Sequence, residues 1–129
     1  MEKRVVNPWT WQDQVGFAQG NEVKDGSRVL FVAGQTSVDE NGTPINAGNM
    51  EAQVGKAFEN LEAVLKQAGM SMENVVRLNY YTTDIDAALA AFPKFGGNLP
   101  ETRPASTLLG VTRLAFPDLL IEIEATAVA

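Results

Sequence analysis

The chain has 129 residues, enough for one domain that buries a core without disulfides or structural metals. It contains no cysteine and no histidine, which excludes thiol nucleophiles, Cys/His zinc sites and every mechanism built on a Ser-His or Cys-His pair. Sixteen acids against ten bases leave a net charge of −6, and no basic run is present to track nucleic-acid phosphates. Acid–base chemistry, if present, falls to Asp, Glu, Lys, Tyr or water.

The N-terminal residues, Met1 to Pro8, lack the apolar run of a signal peptide, and no segment is apolar enough to span a membrane. We expect a cytoplasmic protein with residues 1–129 in one domain. Residues 17–23 read as a first strand, followed by an Asp25-Gly26 turn. Residues 28–33 are apolar at successive positions, so this second strand reads as buried on both faces. Residues 34–48 read as loop.

The strongest helix signal follows. Val54, Ala57, Phe58, Leu61, Val64, Leu65 and Ala68 form one apolar stripe, with Asn49 as N-cap and Gly69 as the left-handed stop. Residues 74–83 alternate as a strand. Asp84 caps a second helix with Ile85, Ala88, Leu89 and Phe92 on one face, and Pro93 predicts a kink or break there. Residues 96–102 read as loop, and 106–114 and 119–128 as the last two strands. The order is ββαβαββ, an α+β fold with two helices on one face of a mixed sheet. A second strand buried on both faces needs cover on the other side, and another copy of the chain supplies it most simply.

Three segments carry candidate chemistry. In Ile121-Glu122-Ile123-Glu124-Ala125, alternation separates the carboxylates from the apolar residues. The glutamates are either a solvated outer face or acid–base groups in a cleft between subunits. Arg103 is either a surface arginine or a clamp for a carboxylate. Gly34-Gln35-Thr36 is either an ordinary turn or a set of backbone N–H groups offered to an anion. Trp9, Trp11 and Phe17 read as packing or interface residues, because no basic residues interleave them.

Together, Asn7-Pro8-Trp9-Thr10-Trp11, Ala33-Gly34-Gln35-Thr36, Arg103-Pro104-Ala105 and Ile121-Glu122-Ile123-Glu124-Ala125 resemble the RidA family, also called YjgF or endoribonuclease L-PSP. The likeness runs along nearly the whole chain. It implies a chorismate-mutase-like fold and a homotrimer with small-molecule clefts between subunits. It also implies hydrolysis of reactive imines and enamines, releasing ammonia without metal or cofactor. Carried over by position, the water-positioning glutamate falls on Glu122 and the glycine turn on Gly34.

Other positions depart from the family pattern. The arginine that follows Pro-Ala in the archetype is Ser106 here. A cleft cysteine becomes Leu108, a cleft tyrosine becomes Phe17, and a cleft asparagine falls on Phe92. Losing a charge-assisted hydrogen bond costs about 1.5–3 kcal/mol, on the order of 10- to 100-fold in affinity. Arg103 lies three residues before Ser106, roughly 10 Å away and on the opposite strand face, so strand geometry does not favour its taking over. Two enzymatic or binding roles fit these changes: a divergent deaminase acting on a larger or less charged electrophile, or a non-enzymatic trimer binding an apolar ligand or a protein. Ribonuclease activity, after the family's older name, fits least, because the acidic chain repels RNA and lacks histidine.

Overall fold

The computed structural model describes residues 1–129. Its elements are strand β1 (Glu2–Val6), β2 (Gly20–Lys24), β3 (Val29–Gln35), helix α1 (Met50–Gln67), β4 (Val75–Thr82), α2 (Ile85–Ala91), β5 (Ala105–Gly110) and β6 (Ile121–Val128). The main sheet has the order β3-β6-β4-β5, antiparallel except for the parallel β4–β5 pair. Strands β1 and β2 form a separate two-stranded ribbon.

The expected first strand starts three residues later, at Gly20, and pairs with an N-terminal strand that the sequence pattern conceals. Four of the five residues of β1 are exposed, so no core-facing alternation marks it. Arg4 and Glu22 instead form a cross-strand ion pair at 3.2 Å. The fifth strand ends at Gly110 and the sixth begins at Ile121, both shorter than their apolar runs suggest.

Helix α1 follows its signals closely. The Asn49 side chain accepts from the Ala52 N–H at 3.0 Å. Gly69, at φ +71°, ends the helix while the Met70 N–H returns to the Leu65 carbonyl at 2.8 Å. Val54, Ala57, Phe58, Leu61 and Leu65 are buried against Leu78, Ile121, Ile123, Ala125 and Ala127 of the sheet. Asp84 caps α2 by accepting from Ala87 N at 3.0 Å. The break expected at Pro93 is present: α2 stops at Ala91 and the chain tightens into a 3₁₀ segment, Phe92–Asn98.

Gln53 ties these parts together. Fully buried, it donates to the carbonyls of Asn46 at 3.1 Å and Asp118 at 2.8 Å, and accepts from Leu120 N at 2.8 Å. A polar residue on the buried face of α1 thereby ties the loop before α1 to the loop before β6.

The helices cover one face of the main sheet. The other face is open along β3, where Phe31 is 80% exposed and Val29 56% exposed, and Leu109 of β5 is exposed at the opposite edge of the sheet. No helix is long and apolar enough to cross a membrane.

Candidate functional site

Strand register sorts the candidate residues onto two faces. On the helix side, Ser106 is level with Leu78, and Leu108 with Tyr80, which packs its ring against Phe92 at 4.8 Å between centroids. Ser106, Leu108, Tyr80 and Phe92 line a cavity of about 540 Å³. Phe17, Phe92, Arg103, Ser106 and Leu108 all lie on its wall, with Tyr80, Phe95 and Leu99. Five of the seven candidates are thus brought together by β5, the 3₁₀ segment after α2 and the turn before β2. Leu89 of α2, expected in the core, stays exposed at the cavity's edge.

Arg103 departs from the geometry expected of it. Strand β5 starts at Ala105, one residue before the expected Ser106 but still after Arg103, so strand alternation does not govern Arg103. Its side chain reaches the same cavity as Ser106 and donates from Nη1 to the Gly96 carbonyl at 3.3 Å. Position 103 therefore supplies a cation to the cavity whose strand position 106 carries a neutral hydroxyl.

Gly34 and Glu122 meet elsewhere, on the open face. The β3–β6 register shifts between Val32 and Gln35, forming a bulge that brings Gly34 under Glu122. A Cβ at residue 34 would overlap the Glu122 carboxylate, so glycine is what lets the side chain lie against the backbone. Glu122 makes no hydrogen bond within the chain. Burial, and then the charge of Glu124, raise its pKa above the ordinary carboxylate value.

Glu124 is shifted the other way. Tyr81 Oη donates to its Oε1 at 2.5 Å and Asn79 Nδ2 at 3.0 Å, and these bonds, with the charge of Arg77, hold its carboxyl low. The Glu124 hydrogen bond in turn raises the Tyr81 phenol. Two carboxylates on one strand are thereby pushed apart: Glu122 is unpartnered and poised to take a proton, while Glu124 is held ionised. No group of three or more acidic side chains is placed to hold a metal.

Sequence patterning did not assign roles to Tyr80, Tyr81 or Asn79. Their roles follow from register: Tyr81 lies level with Glu122 and Asn79 with Glu124, while Tyr80 takes the opposite face. The alternation of residues 74–83 marks a strand but not its partner.

Two helices packed on a four-stranded mixed sheet, with an open opposite face, define an α+β fold of the chorismate-mutase-like type. Residues 16–129 match the family model described as endoribonuclease L-PSP, and the chain belongs to that family, also called RidA/YjgF. It is 38% identical over 101 residues to a RutC family protein of Synechocystis, covering 77% of each chain. It is 30% identical over 99 residues to the 3-aminoacrylate deaminase RutC of Acinetobacter baylyi, covering 77% of this chain and 78% of the relative. Among solved structures, the Rid-family protein YyfB of Yersinia pestis is similar over 100% of both chains, with 35% identity and a TM-score of 0.88.

Proposed function

We propose that this protein is a metal-free imine or enamine hydrolase of the deaminase type, working as a homotrimer. The observation that carries the reading is the unpartnered Glu122 carboxylate seated over Gly34, its pKa raised by burial. The apolar cavity and the Glu122 face lie on opposite sides of one sheet. Contact between copies of the chain would bring the cavity of one against Glu122 of the next. The exposed Val29 and Phe31, neighbours on one face of β3, support that contact, because apolar side chains grouped on a sheet face seek cover.

In this cleft Glu122 orients a water molecule and takes its proton as the oxygen adds to the C=N carbon. The proton passes to nitrogen, giving a carbinolamine. A second transfer, from the hydroxyl to the amino group, releases ammonia and leaves the carbonyl product. An enamine enters the same route after protonation at carbon. Phe17, Phe92 and Leu108 replace polar groups of the archetype, which favours a substrate with an apolar body. The relative named 3-aminoacrylate deaminase supports the reaction class.

The test couples an amino-acid oxidase, which generates imines of increasing side-chain size, to semicarbazide trapping of what remains. The native protein is expected to speed imine decay, and Glu122→Gln to abolish this while preserving the assembly. Unchanged turnover in Glu122→Gln overturns the role of Glu122. The apolar cavity also supports a second reading, a non-enzymatic ligand binder. That reading requires ligand-dependent thermal stabilisation with no turnover in the native protein. Ribonuclease activity has little support, since an acidic chain repels RNA.

A further inference from the structure

Arg103 is half-buried and forms no ion pair, and its one side-chain hydrogen bond goes to the Gly96 carbonyl. A guanidinium offers several N–H donors in a fixed fork, so most of them are without a protein acceptor. Around it the cavity wall is apolar, with Phe17, Phe92, Leu99 and Leu108. A cation set among apolar groups interacts with an anion more strongly than one in open water.

A second free donor shares this cavity. The Tyr80 hydroxyl makes no hydrogen bond within the chain, although its ring is packed on Phe92. Burial keeps the phenol protonated, and the Arg103 charge acts on it in the opposite sense, so the two groups are in electrostatic reach of each other. One charged fork and one neutral O–H suit the two oxygens of a carboxylate.

We infer that Arg103, with the Tyr80 hydroxyl, is the carboxylate anchor of this cavity, and that its ligand is a monocarboxylate with a bulky apolar body. The anchor comes from the turn before β5 instead of from strand position 106, where the family pattern has its arginine. That displacement leaves the small Ser106 and the aromatic wall free to receive the ligand's side chain. A cavity of about 540 Å³ is far larger than a three-carbon acid needs. The anchor rests on the reading above only in taking this cavity as the substrate-holding half of the cleft.

Binding tests the anchor separately from turnover. Titration calorimetry would compare 3-phenylpropanoate, its neutral isostere 3-phenylpropanamide, and propanoate. The native protein is expected to bind 3-phenylpropanoate about 10- to 100-fold more tightly than either of the others. Arg103→Gln is expected to remove the preference for the acid over the amide, and Arg103→Lys to keep part of it. Tyr80→Phe is expected to weaken the acid by a smaller factor. The anchor is overturned if the native protein binds acid and amide alike, if it binds neither, or if Arg103→Gln keeps the preference. The comparison of acid with amide needs only the native protein, so it stands even where a variant does not fold. A protein that prefers the acid through Arg103 but hydrolyses no imine keeps the anchor and loses the deaminase reading. Glu122-dependent turnover with no Arg103-dependent preference does the reverse.

Discussion

Glu122 and Glu124 sit two residues apart on β6, yet their surroundings give them opposite chemistry. Tyr81 and Asn79 spend their hydrogen bonds on Glu124 and hold it ionised, and its charge then opposes ionisation of Glu122. A general base works only when ionised, so the acid limb of kcat/KM is expected above the ordinary glutamate value of 4.5. Glu124→Gln removes the opposing charge and is expected to move that limb to lower pH, read from a pH–rate profile. A limb that stays in place contradicts the coupling. The same shift has a consequence for stability. Folded Glu122 keeps its proton to higher pH than the unfolded chain does, so its contribution is lost as pH rises through the folded value. Glu124 contributes in the opposite sense, and its share is lost as pH falls through its lowered value.

At the scale of elements, the central connections depend on one polar side chain. Gln53 satisfies two backbone carbonyls and one N–H from two segments, the loop before α1 and the loop before β6. Gln53→Leu leaves all three without that partner, and each buried orphan costs about 1–3 kcal/mol. Urea unfolding is expected to show a loss of at least about 3 kcal/mol, with little change in slope. A loss within about 0.5 kcal/mol, as surface substitutions give, contradicts this role. Much of this scale was legible beforehand. The α1 stripe, both N-caps, the Gly69 stop and the Pro93 break are local signals, and each is realised. β1 was not legible, because charged, exposed residues carry no period. The end of β5 at Gly110 was equally hidden, since the apolar run continues past it.

The two halves of the candidate site were legible as residues, but their division between sheet faces was not. Sequence spacing places Ser106 and Glu122 each in a strand. Alternation already sets Glu122 apart from the apolar face of its strand, but only the β4 register shows that Ser106 lies on the other, helix-covered face. The position of Arg103 was obscured for a different reason: strand geometry was applied to its spacing from Ser106, while the strand begins two residues after Arg103. For the whole molecule, the proposed reaction requires self-association, because the two halves lie on opposite faces of one sheet. Phe31→Glu places a charge at the most exposed large apolar residue of the open face. It is expected to give monomers in size-exclusion chromatography with light scattering, and to lose turnover with the assembly. A trimeric Phe31→Glu protein would place the contact elsewhere.

Mixing two inactive proteins tests the shared cleft most directly. Glu122→Gln keeps the cavity but loses the base, and Leu108→Trp keeps the base but fills the cavity. Each alone is expected to be inactive on an imine that the native protein hydrolyses. Co-expressed in equal amounts, copies assemble at random, and about one quarter of clefts join an intact cavity to an intact Glu122. Recovery of turnover near that fraction is the predicted result. A mixture as inactive as its parents, with mixed trimers demonstrated by mass spectrometry, would contradict a cleft built between copies.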